Sequence, residues 1–201
     1  WRRVLVLVVL MWAPLLALAV LEGHAWDSSL ALPFLKDIET NLRLLIAVPL
    51  LILAEVMVHQ KLPPIVRRFV ENGLIRDDAR PQFEAAINSA QRLRNSIVAE
   101  VVLIVFVYGV GIPFIWRDLL VLDVNSWYAI SADGGMRPSY AGWWFGLVSM
   151  PLLQFLVLRW FFRFFIWARF LWQVARTGLN LEPTHPDGTG GLHFLAHSSR
   201  A

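Results

Sequence analysis

The chain has 201 residues, of which 57% are hydrophobic and 16% charged, with ten tryptophans, no cysteine and a formal net charge of +3; its mean hydropathy is +0.56. Soluble domains carry about 25% charged residues, so the balance excludes an ordinary water-soluble domain. The lack of cysteine excludes disulfides, cysteine-ligated iron–sulfur clusters and thiolate metal sites, and the positive charge reads as topology rather than nucleic-acid binding, because the arginines gather between apolar runs.

Val4–Leu21, Val101–Trp116 and Ala141–Leu158 contain no charged side chain, and Leu44–Val58 contains only Glu55. About 20 apolar residues in a helix cross a hydrocarbon core of roughly 30 Å with every backbone group paired internally. The fold class expected is therefore an all-α integral membrane bundle of about four transmembrane helices. The first run, preceded by Arg2 and Arg3 and containing Ala17-Leu18-Ala19, imitates a secretory signal. Its uncharged core is longer than a signal core, which favours a retained transmembrane helix. A chain that starts on Trp1 rather than Met is expected to be part of a longer protein, with Ser198-Ser199-Arg200-Ala201 at a cut end.

Residues 1–58 are assigned to the first two spans, joined by an outer loop over 23–41. In that loop Leu30, Leu32, Phe34, Leu35 and Ile38 suit a short helix lying at the interface. His24 and Asp27 read as solvated loop residues. Residues 59–96 are expected to form a charged cytoplasmic helical hairpin. Pro63-Pro64 open a short helix through Val66, Phe69 and Val70, Gly73 ends it, and Asp77 or Asp78 caps a second helix ahead of Pro81. The spacing of Phe83, Ile87, Ala90, Arg94 and Ile97 predicts that this second helix runs unbroken into the third span.

Residues 97–172 hold the third and fourth spans with an outer loop over 117–141, where Leu119–Val124 and Trp127–Ile130 read as extended runs and Ala132–Gly135 as a turn. From Ala141 to Ala175 the sequence stays mostly aromatic and aliphatic, with Arg159, Arg163 and Arg169 the only charges. A helix of that length measures about 50 Å, so its lower half must leave the bilayer with guanidinium groups reaching phosphates. Residues 173–201 form a cytoplasmic tail.

Orientation follows from the basic residues. With both visible termini cytoplasmic, fourteen Lys and Arg fall inside and four outside. Trp26, Trp116, Trp143 and Trp144 then line the outer interface and Trp160, Trp167 and Trp172 the inner one, with Trp12 near mid-span. Pro14, Pro49, Pro113 and Pro151 each fall within a span and are expected to bend it, leaving carbonyls for neighbours to satisfy.

Glu55, Glu100, Arg159 and Arg163 reach similar depth near the inner boundary and are expected to meet as an intramembrane polar cluster. Such a cluster is either a proton or ion relay or head-group site, or pairing that fixes helix register, and the register reading is preferred. Arg67, Arg68, Trp160, Trp167, Arg169 and Trp172 are the candidate lipid or partner contacts. In the tail, the Pro186-Asp187-Gly188 turn leads to Gly190 and Gly191, with His193 and His197 four apart and His185 nearby. His185, Asp187, Gly190, Gly191, His193 and His197 are weak anion or metal candidates that match no Walker loop, dinucleotide fingerprint or HExxH pattern. No catalytic constellation, cofactor or metal site is assigned.

Arg159-Trp160 through Phe170-Leu171-Trp172, then Pro183-Thr184-His185-Pro186-Asp187 and Gly190-Gly191-Leu192, with Leu53-Ala54-Glu55 and Arg92-Leu93-Arg94-Asn95-Ser96, resemble an uncharacterised family of multi-pass bacterial inner-membrane proteins with a His-Pro-Asp-x-x-Gly-Gly-Leu turn. The resemblance implies a bacterial inner membrane and further spans and a soluble tail beyond the visible end, but supplies no activity. The expected function is a non-enzymatic membrane component that binds a protein partner, another copy of itself or anionic lipid head groups on its cytoplasmic side. The alternatives are an ion- or proton-coupled transporter or channel using Glu55 and Glu100, and a membrane-bound metalloenzyme using the tail cluster.

Overall fold

The computed structural model describes residues 2–27, 29–113, 125–132, 135–178 and 180. Five helices dominate: α1 over Arg2–Leu21, α2 over Ile38–Glu71, α3 over Arg80–Arg94, α4 over Ile97–Gly111 and α5 over Tyr140–Ala175. Val4–Leu21, α2 and α5 are long and apolar enough to cross a membrane. A fourth span results if Asp77–Arg94 and Ile97–Gly111, bent by 47° at their junction, count as one. The fold is thus mostly helical but not purely so. Strands β1 (Ala129–Ala132) and β2 (Gly135–Pro138) form an antiparallel hairpin, with Ile130 opposite Arg137.

Three expectations are corrected. Pro63 and Pro64 do not open a new helix but lie inside α2, whose helical turns continue through both residues to Glu71. These prolines supply no amide donors, so the carbonyls of His59 and Gln60 lack their intrahelical partners. Nor does α3 run unbroken into the third span. It ends at Arg94, and after Asn95-Ser96 a new helix starts whose Ala99 amide donates to Ser96 Oγ at 3.3 Å. Finally, Phe34 does not lie on the surface of an interfacial helix. It sits in a short 3-10 turn, Phe34–Lys36, and is fully buried. Gly73 does end α2 as the sequence suggests: its φ is +66°, its amide donates to the Val70 carbonyl and the Leu74 amide to the Phe69 carbonyl.

Three of the prolines share one backbone device. Pro49, Pro113 and Pro151 each follow by two residues a five-residue π turn, Arg43–Ala47, Val107–Gly111 and Phe145–Ser149 respectively. A proline lacks the amide and crowds the carbonyl four residues back, and one wider turn lets the ladder continue through the disruption. Two carbonyls near prolines are satisfied from a neighbouring helix. Tyr108 Oη donates to the Leu147 carbonyl, four residues before Pro151, at 3.2 Å, and Ser149 Oγ donates to the Met11 carbonyl, three before Pro14, at 2.8 Å.

The chain divides into two compact units, Trp1–Leu53 with Glu100–Arg159, and Ala54–Ala99 with Trp160–Ala201. In the first, α1 packs against the opening turns of α5 and the π turn of α2. The core joins Met11, Leu15, Phe34, Leu44, Val48 and Phe145 around a fully buried Trp127. The Trp127 ring meets Phe34 and Phe145 edge-on at centroid distances of 5.0 and 5.2 Å, and its Nε1 donates to Asp37 Oδ2 at 2.9 Å. Asp37 also caps α2 by accepting from the Thr40 amide, while Ser139 and Glu22 together accept from the first amides of α5. The two loops read separately in the sequence are thereby one structure, since Ala31 and Trp127 also donate across them to Asn125 and Leu32 carbonyls. Leu119–Val124 and Trp116 lie outside the described residues.

In the second unit the lower part of α2, α3 and the lower part of α5 enclose Ile65, Phe69, Leu74, Phe83, Phe170 and Val174. Phe83 stands about midway between Phe69 and Phe170, at centroid distances of 6.1 and 6.0 Å.

Candidate functional site

The second unit contains a cleft of about 350 Å³ between its three helices. Its apolar walls come from Leu62 and Val66 of α2, Ile87 of α3, and Ile166, Trp167 and Phe170 of α5. Helical spacing explains the convergence: residues 62 and 66, 87 and 91, and 166 and 170 are each four apart and share a face. Arg67, Arg94, Arg163 and Gln91 also line the cleft, with no carboxylate among the described lining residues. Trp167 and Phe170 form one side of the wall, stacked at 5.4 Å between centroids and 23° between planes.

Arg163 belongs both to this cleft and to the polar cluster anticipated from the sequence. Its Nη2 lies 2.6 Å from Glu55 Oε1, and both side chains are about three-quarters buried. An ion pair so placed carries a desolvation cost that only good geometry and further polar contacts offset, so its first effect is to fix which faces of α2 and α5 meet. Glu100 is different: it is exposed near the start of α4 and makes no ion pair among the described residues. Arg159, at the end of the first unit, is engaged in interactions of its own.

The anticipated contact residues split into three settings. Arg67 and Trp167 line the cleft. Arg169 turns toward α3, where Nη1 donates to Ser89 Oγ at 2.9 Å and ties α5 to the hairpin. Trp160 and Trp172 are exposed on α5, the first stacked on Phe164 and the second under the Arg176 guanidinium at 4.4 Å, while Arg68 is exposed on α2. Phe161, Phe164 and Phe165 extend this exposed aromatic face.

Sequence reasoning did not name Leu62, Gln91 or Ile166, and it placed Ile87 and Arg94 on a helix face without assigning them to a contact site. The available signal was Arg94 at helical spacing from Ile87, Ala90 and Gln91, which places its charge on the cleft side of α3. His185, Asp187, Gly190, Gly191, His193 and His197 lie outside the described residues. Among the described residues no group of three or more His, Asp or Glu side chains could hold a metal ion. Asp27, in the loop after α1, has its carboxyl held below the usual aspartate value by the Ser29 amide and hydroxyl that donate to it.

Comparisons with protein-family models, with curated proteins and with solved structures give no match for this chain.

Proposed function

We propose that this chain is a non-enzymatic, multi-pass component of a bacterial inner membrane that binds a partner, protein or lipid, on its cytoplasmic side. The observation that carries the reading is the cleft of the second unit, which three arginines line together with aromatic and aliphatic side chains, without a carboxylate among the described lining residues. Such a site attracts an anionic group while offering apolar area to whatever is attached to it. The membrane setting is supported by three long apolar helices, and by outward-facing apolar side chains such as Leu5, Val6 and Val9 on α1 and Ile97, Val98 and Val101 on α4, which in water form a patch with no stable covering. The arginine distribution supports the orientation with both visible termini inside. The resemblance to the inner-membrane family with the His-Pro-Asp turn agrees with that address.

The pairing of Glu55 with Arg163 favours a register role for this carboxylate over a relay. A relay needs groups that exchange protons with water at both ends of a path, whereas this carboxylate is engaged by a guanidinium of the neighbouring helix at 2.6 Å.

Two measurements in cells test the reading. The chain has no cysteine, so a single cysteine at Asn72 can be labelled with a membrane-impermeant maleimide in inverted vesicles and in spheroplasts. Labelling only in inverted vesicles is expected, and labelling only in spheroplasts overturns the orientation. A photo-reactive residue at Gln91 is expected to give adducts with protein or lipid. The absence of any adduct above that of Glu84, exposed elsewhere on α3, overturns the binding role.

A further inference from the structure

We infer that the occupant of the cleft is a single anionic phospholipid, its phosphate held by Arg67, Arg94 and Arg163 and an acyl chain laid along Leu62, Val66, Ile87 and Trp167; this rests on the reading that the cleft is a binding site on the cytoplasmic side. Charge and shape both favour this occupant. A guanidinium presents paired donors that match two oxygens of one phosphate, and arginines from three different helices, α2, α3 and α5, line one volume. Arg67 makes no ion pair among the described residues and is exposed at the margin, so its charge is available to a ligand.

The walls exclude a purely inorganic anion as the natural occupant. Leu62, Val66, Ile87, Ile166, Trp167 and Phe170 are apolar. A small hydrated anion at the margin would leave that surface wetted, whereas each methylene buried there contributes about 0.8 kcal/mol of transfer energy, roughly a fourfold gain in binding per group. A cleft of about 350 Å³ falls at the small end of ligand sites, enough for a head group and part of one chain but not for a whole two-chain lipid. The rest of the lipid therefore stays outside the cleft, in the surrounding bilayer.

The occupant also accounts for the double engagement of Arg163. Its contact with Glu55 at 2.6 Å anchors the guanidinium at the cleft's inner edge, while Arg67, exposed at the margin, supplies a charge that a phosphodiester complements.

The test uses the full chain purified in mild detergent from membranes containing phosphatidylglycerol, and read by native mass spectrometry. One retained phospholipid per chain is expected, with at least about tenfold preference for phosphatidylglycerol over phosphatidylcholine when the delipidated chain is offered each in nanodiscs. R67Q/R94Q, both at exposed positions and so compatible with folding, is expected to lower retention about tenfold or more. A90F, which fills the cleft from α3 while leaving every arginine in place, is expected to lower it similarly; where A90F fails to fold, the arginine pair decides. Inorganic phosphate and glycerol 3-phosphate at millimolar concentration are expected not to displace the lipid. Displacement by either assigns the site to a soluble anion and overturns the proposal, as does retention unchanged in R67Q/R94Q. A Gln91 adduct with protein alone, and no retained lipid, overturns the lipid occupant while leaving the partner-binding reading standing.

Discussion

Replacing Trp127 by Phe probes the joint that holds the ends of α1, α2 and α5 together. The indole is fully buried, and its Nε1 lies 2.9 Å from Asp37 Oδ2. A hydrogen bond to a charged group is worth about 1.5–3 kcal/mol, and its loss leaves a buried carboxylate with one donor fewer. Indole exceeds phenyl by three heavy atoms, so W127F also removes roughly 2 kcal/mol of burial at about 0.8 kcal/mol per methylene-sized group. The expected total is about 4 kcal/mol. D37N keeps the size of the side chain and weakens both the Trp127 bond and the cap on Thr40, for about 1–2 kcal/mol. Because the two substitutions remove the same hydrogen bond, W127F/D37N is expected to cost about 1 kcal/mol less than the sum of its parts. Equilibrium unfolding of the four proteins in mixed detergent micelles measures this cycle. Additivity within about 0.5 kcal/mol would refute the reasoning.

Other consequences follow from close contacts in the same unit. A Cβ at Gly142 would overlap the backbone carbonyl oxygen of Tyr128, so G142A is expected to destabilise by more than about 2 kcal/mol, read as a lowered unfolding midpoint. An unchanged midpoint would mean that α5 and the hairpin can separate freely. S149A removes the donor to the Met11 carbonyl and should cost about 0.6–1.7 kcal/mol, in the range of interhelical hydrogen bonds between apolar helices; the same unfolding assay decides. For Asp27, donation from Ser29 lowers the folded pKa below the ordinary value of 3.8. Its contribution to stability is therefore complete above about that pH and is lost as pH falls through the lower folded value. A carboxyl titration of isotope-labelled protein with an Asp27 midpoint at or above 3.8 would contradict this.

Charge-free runs of the length of Val4–Leu21 made the long helices legible, because apolar length is a property of the sequence itself. The depth argument likewise brought Glu55 and Arg163 to one level, and the two side chains do meet. What stayed hidden was of two kinds. The α3–α4 break was invisible because Phe83, Ile87, Ala90 and Arg94 keep helical phase with Ile97 across Asn95-Ser96, and periodicity cannot register a change of direction. Pro63-Pro64 misled in the opposite sense: proline is favoured at a helix start, yet here the surrounding turns carry α2 past both residues. The central role of Trp127 could not be read locally either. Its neighbours Trp127–Ile130 suggest only an extended segment, while its anchor, Asp37, lies 90 residues earlier. The cleft required three such separations at once, since its arginines come from three helices and only Arg67 and Arg163 stood out by position.

Whether the arginine-lined cleft of the second unit binds a partner in the cell is decided by photo-crosslinking from Gln91, which lines that cleft. An adduct with protein or lipid is expected that is strong at Gln91, weak at Glu84 and reduced in R67Q/R94Q; equal background labelling at Gln91 and Glu84 would overturn the binding role.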